Sequence, residues 1–111
     1  MEHRVKKVES LIRQILAQML AEEFIPPAGT ILSLTKVSAS GNLQEAKVYI
    51  SVLPDQEREN VVSVLKKRAR FFQSMLNRKL RMRPVPKIIF VGDKQPLQAQ
   101  EVETILEQLK K

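Results

Sequence analysis

Residues 64–93 read VLKKRARFFQSMLNRKLRMRPVPKIIFVGD, and the change of hydrophobic period inside that stretch decides the fold. With Val62 before them, Leu65, Ala69, Phe72, Leu76 and Leu80 step by three or four, which puts their side chains on one face of an α-helix. At about 100° per residue they span roughly an 80° arc, so a helix over residues 57–80 buries one narrow stripe. Pro84-Val85-Pro86 then excludes helix, because proline lacks the amide donor and drives the residue before it to extended backbone. Lys87-Ile88-Ile89-Phe90-Val91 follows, a short apolar run closed by Gly92-Asp93. That pattern predicts a strand buried on both faces.

Phe71 does not fit a straight helix. It would point nearly opposite the apolar stripe, next to Met75. Either the helix bends at Arg68-Ala69-Arg70, or an aromatic ring stands exposed among arginines. The bend is favoured, since large apolar side chains are more often packed than displayed.

Upstream, Ala46, Val48, Ile50 and Val52 alternate with Lys47, Tyr49 and Ser51, as in a strand with one face buried and one wet. Residues 30–38 form its partner, with Leu32 and Leu34 alternating against Ser33 and Thr35, and Ser40-Gly41-Asn42 signals the turn between them. Val5, Val8, Ile12, Ile15, Leu16 and Met19 place a first helix over residues 5–24, with Lys6, Lys7, Glu9, Arg13 and Gln14 facing solvent and Pro26-Pro27 ending it. A last helix is expected from Pro96 onward, striped by Val102, Ile105, Leu106 and Leu109. The order α-β-β-α(kinked)-β plus a C-terminal helix specifies an α+β domain: a three-stranded sheet with helices on one face. Residues 1–111 read as a single domain.

Composition narrows the function. There is no cysteine, which removes disulfide and thiol chemistry and is compatible with a reducing, cytoplasmic setting. No apolar run approaches a membrane span, and no signal-peptide pattern is present. The only histidine, His3, has no triad or metal partner in the pattern, so neither catalysis, a cofactor nor a small-molecule substrate is expected. Charge is the informative feature. Lys66, Lys67, Arg68, Arg70, Arg78, Lys79, Arg81, Arg83 and Lys87 fall between residues 66 and 87 without a single acid, and the remainder of the chain is slightly acidic. The whole net charge of +7 therefore comes from one fifth of the sequence. Isolated bases are usually solvated surface; nine without an acid point to a polyanion, bound through phosphates. Arg4 and Lys7, with Lys6, make a weaker second patch that Glu2 and Glu9 dilute. Tyr49 reads as a half-buried sheet residue rather than a base-stacking one.

The element order is that of the type II KH-like folds. The stretches TKVSASGNLQEAKVYISVL at 35–53 and VLKKRARFFQSMLNRKLRMRPVPKIIFVGD at 64–93, behind an amphipathic helix opening at Arg4-Val5, resemble the bacterial ribosome-binding factor A family over nearly the whole chain. Ala46-Lys47-Val48-Tyr49 and the Leu80, Arg83, Pro86, Phe90, Asp93 pattern are the most specific parts. The resemblance implies a non-enzymatic protein that binds the small (30S) ribosomal subunit through 16S rRNA, assists its late maturation and rRNA processing, and matters in cold adaptation. It also implies a cytoplasmic monomer with no membrane partner. The alternative is a general single-stranded nucleic-acid binder on a KH-like fold. Three departures stand out. KH domains clamp nucleic-acid backbone with Gly-x-x-Gly, which is missing here. The Ala-x-Gly kink usual in the family falls at Arg68-Ala69-Arg70, with Arg70 where glycine is common. Asn42 also stands in a turn position more often held by Asp.

Overall fold

The computed structural model describes residues 2–94; the helix expected from Pro96 onward lies outside the described residues. The elements are α1 (Glu2–Glu23), β1 (Ile31–Ala39), β2 (Glu45–Leu53), α2 (Arg58–Lys67), α3 (Ala69–Lys79) and β3 (Lys87–Gly92), with a single 3₁₀ turn at Asp55–Glu57 before α2. β2 is the central strand. It pairs antiparallel with β1 through the hairpin and parallel with β3 through the α2–α3 crossover.

The inward face is continuous across all three strands. Ala46, Val48, Ile50 and Val52 are buried, and the register sets Ile88 beside Ala46 and Phe90 beside Val48. From α1, Val8, Ile12, Leu16, Met19 and Leu20 close over this face; α2 and α3 add Val61, Val62, Leu65, Phe72 and Leu76. Phe72 and Phe90 meet edge to face at 5.8 Å between ring centroids. Among the described residues the buried set contains no polar or charged residue.

Three expectations need correction. β3 is an edge strand buried on one face only: Ile88 and Phe90 are buried, while Ile89 and Val91 are half-buried on the other face. β1 does not alternate throughout. A bulge at Thr35 leaves it unpaired between Leu34 opposite Ile50 and Lys36 opposite Tyr49. The extra residue flips the phase, so Leu34 and Val37, three apart, both reach the core. The Thr35 hydroxyl donates to Asp93 Oδ2 at 2.7 Å, with the Tyr49 carbonyl 3.3 Å away, tying the bulge to the end of β3. Finally, Glu9 does not face open solvent. Its carboxylate accepts the backbone N–H of Ala39 at 2.8 Å and satisfies the last residue of β1.

The hairpin turn is held by polar side chains. Ser40 Oγ accepts from the N–H groups of Gln44 and Glu45 at 3.2 and 3.1 Å, and Asn42 Oδ1 accepts from Gln44 N–H at 3.1 Å. An acceptor oxygen is all that position 42 supplies here, so Asn serves as well as Asp. The one left-handed residue of the turn is Leu43, at φ 58°, rather than Gly41.

Gln73 joins α3 to β3. Its Oε1 accepts from Ile88 N–H at 2.8 Å, and its Nε2 donates to the Pro86 carbonyl at 3.1 Å and to Asn77 Oδ1 at 3.0 Å. Gln73→Leu should therefore orphan the part-buried Ile88 amide and destabilise the fold by about 1–3 kcal/mol, read as a shifted midpoint in urea unfolding. Asn77→Ala, at an exposed position, should change it by less than about 0.5 kcal/mol.

Candidate nucleic-acid interface

The two helices of the crossover are separated by one residue. Arg68 has φ −99° and ψ 12°, the sparsely populated bridge region, and its N–H bonds to the carbonyls of Val64 and Leu65 as α2 ends. Its own carbonyl then accepts from Phe72 N–H as α3 begins. Because φ stays negative, the break requires no glycine. Arg70 sits in the first turn of α3, exposed, in ordinary helical backbone. The helical hydrogen bonding is interrupted at Arg68, inside the stretch where a bend is expected, and Phe71 remains 39% exposed.

Arg68 explains how that ring is accommodated. Its guanidinium lies 4.8 Å from the Phe71 ring centroid and 5.1 Å from that of Phe72. Its Nη1 also donates to the carbonyl of Glu23 at 2.7 Å. That carbonyl belongs to the last residue of α1, where helix carbonyls lack intrahelical partners and the dipole favours a cation. Arg68 thus staples the end of α1 to the α2–α3 junction. It has a structural role besides the one for which the sequence groups it with the other bases.

The remaining bases fall into four settings. On the β3 side of α3, Arg70, Arg83 and Lys87 rim a groove floored by Ala69, Val85 and Ile88. Arg83 is positioned by its own loop, with Nη1 donating to the Met82 carbonyl at 2.7 Å and the Leu80 carbonyl at 3.3 Å. Toward α1, Lys79 and Arg81 meet Arg4 and Lys7 around a second groove, so the minor N-terminal patch joins the major one. Lys66 lines a third depression with Lys94, Arg58 and Glu59, where an acid tempers the charge. Lys67 and Arg78 are exposed on the helices themselves. Among the described residues, neither of the grooves flanking α3 is lined by a carboxylate. Another groove, between α1 and β1, has Arg13 as the one base among its described lining residues. On the outer sheet face Tyr49 is half-buried, with Lys36 Nζ 4.6 Å from its ring centroid.

Sequence reasoning missed the meeting of Arg4 and Lys7 with Lys79 and Arg81, which requires the packing of α1 on α3. It also missed the apolar floors, Val85 and Ile88 in one groove, Leu11 and Met82 in the other. The surviving signal was the step from Arg4 to Lys7 to Leu11, which lies on one helical face.

A family model described as ribosome-binding factor A matches residues 4–106. The chain belongs to the ribosome-binding factor A family. A curated relative, ribosome-binding factor A of Heliobacterium modesticaldum, is 36% identical over 92 residues, covering 82% of this chain and 76% of that protein. The crystal structure of ribosome-binding factor A from Thermus thermophilus superposes with a TM-score of 0.71 at 22% identity, covering 83% of this chain and 99% of the other. A Thermus thermophilus homology model fitted into a cryo-EM map of a 30S complex superposes with a TM-score of 0.68 at 23% identity, covering 81% and 97%. The fold is the KH-like one expected from the element order. In this family member the helix break forms without glycine.

Arg68→Ala should lower stability by about 1–2 kcal/mol, through loss of the carbonyl bond and both ring contacts. Arg70→Ala should leave the unfolding midpoint within about 0.5 kcal/mol of the parent. Thermal and urea melts of the two variants separate the stapling arginine from the displayed one.

Proposed function

We propose that this protein binds the small ribosomal subunit through 16S rRNA and assists its late maturation, a binding role with no chemical step, exercised as a monomer in the cytoplasm. The observation that carries the reading is the charge around α3. Six bases from α1, α3 and the loop before β3, with Lys87 at the start of β3, rim two grooves flanking α3 whose lining, among the described residues, includes no acid. Such a field attracts a polyanion over several ångströms and favours phosphate contact at close range. The membership of the ribosome-binding factor A family, and the Thermus thermophilus relative placed in a 30S complex, support small-subunit rRNA as that polyanion. RNA processing and growth in the cold are consequences the family reading carries with it.

The bases divide by role. Lys66, Lys67, Arg70, Arg78, Lys79, Arg81, Lys87, Arg4 and Lys7 are exposed and free to meet phosphates. Arg83 is exposed but partly engaged by carbonyls of its own loop, and it shapes the groove as well as charging it. Arg68 contributes mainly by holding the junction from which the others project.

Sedimentation of the tagged protein through ribosomal fractions tests the reading. It should travel with free small subunits in preference to translating ribosomes and dissociate as salt rises. Each phosphate-contacting base replaced by Gln should flatten the log–log salt dependence by roughly 0.7–0.9. A salt-independent interaction would exclude phosphate contact. Equal affinity for subunits and for unrelated single-stranded oligonucleotides would instead identify a general nucleic-acid binder.

A further inference from the structure

We propose that the groove between the start of α1 and the end of α3 seats an unpaired nucleobase of single-stranded RNA, with the adjoining phosphates held by Arg4, Lys7, Lys79 and Arg81. The inference rests on the RNA-binding reading above and gives one of its grooves a second contact chemistry. Phosphate neutralisation alone needs cations and no apolar surface. Here Leu11 is 40% exposed at the groove, and Ile15 and Met82 are only partly buried beside it. A few apolar side chains inside a ring of four cations match a nucleotide, which offers an apolar face and an anionic backbone.

The walls are fixed. Val8 and Leu80 line the same groove and are buried in the core, so the two helices hold their cations at a set separation. Among the described residues no acid lines this groove. Glu9 lies on the far side of α1, where its carboxylate is occupied by the Ala39 amide. An acidic peptide could meet the same cations, but a docked amphipathic helix needs an apolar stripe recurring over two or more turns. Of the apolar side chains lining this groove only Leu11 is exposed, with Ile15 and Met82 partly buried beside it. Leucine and methionine side chains carry no hydrogen-bonding code, so the seat accepts any base.

The test is fluorescence anisotropy with labelled octaadenylate RNA and with an octamer of the same length made abasic at its central positions. Leu11→Gln, at a partly exposed position, should weaken octaadenylate binding about fivefold while its melting temperature stays near the parent's. The abasic octamer should bind the parent about fivefold more weakly, and Leu11→Gln should weaken it no further, because base and floor form one interaction. Met82→Gln should repeat the pattern. The double variant Lys7→Gln/Lys79→Gln should weaken both oligonucleotides alike. If Leu11→Gln and Met82→Gln leave octaadenylate affinity unchanged, the base seat is overturned. It is equally overturned if octaglutamate binds more tightly than octaadenylate and loses that affinity in Leu11→Gln. Sedimentation with small subunits, run on the same proteins, separates the two readings. Subunit binding without a base-dependent arm removes the seat alone, and a base-dependent arm without subunit binding removes the subunit assignment alone.

Discussion

The seating of α3 on the sheet is the constraint from which the rest of the structure follows. Phe72 projects inward and meets Phe90 edge to face, Leu76 is fully buried, and Gln73 between them closes the hydrogen bonds of the β3 entry. Once these three positions are fixed, the outer and lateral faces of α3 have no freedom left. Arg70 must lie toward β3, and Lys79 must lie toward α1. The basic surface is thus a consequence of core packing: the same helical period that buries the stripe distributes the cations over two flanks.

Concentrating like charge around one short helix works against folding, since neighbouring cations repel each other and gain nothing from one another's presence. The structure limits that cost by leaving those bases in high-dielectric surroundings at the surface, where repulsion is weak and salt screens it. The exception is Arg68, which turns inward and is met by a helix-terminal carbonyl and two aromatic faces rather than by a carboxylate. Pairing it with an acid would have brought negative charge into the basic surface. Carbonyl and ring partners satisfy a guanidinium while leaving its positive field uncancelled.

Much of this arrangement was legible in the chain. The stripe from Val62 to Leu80, the Pro84-Val85-Pro86 exit and the alternation at residues 46–52 gave the element order, and Phe71, out of phase with the stripe, marked the break. Local pattern could not give what depends on long-range partners. Glu9 sits at a position whose spacing says solvent, and only the approach of Ala39, thirty residues away, makes it an internal acceptor. The Thr35 bulge left a faint trace, Leu34 and Val37 buried at a spacing no flat strand allows. The continuous apolar run of β3 was misleading: an edge strand with one half-buried face carries the same residues as a central one. Arg70 in place of glycine looked like an obstacle to the kink because the sequence does not reveal the sign of φ. The break occurs at negative φ, which any L-residue can adopt.

The N-terminal helix shows how scaffold and site become one object. Ile12, Leu16 and Met19 anchor α1 on the sheet with no exposed area, and Val8 continues the same stripe. Arg4, Lys7 and Leu11 are offset from that stripe by about one residue's rotation, so they emerge at its border, on the side that meets the end of α3. Neither helix makes the second groove alone. Two patches far apart in sequence, one of them too dilute to stand out by charge, become a single surface because a shared core sets the distance between them. A charge count along the chain therefore undervalues Arg4 and Lys7. Their contribution is set by Val8 and Leu80, the buried residues that hold the two walls together.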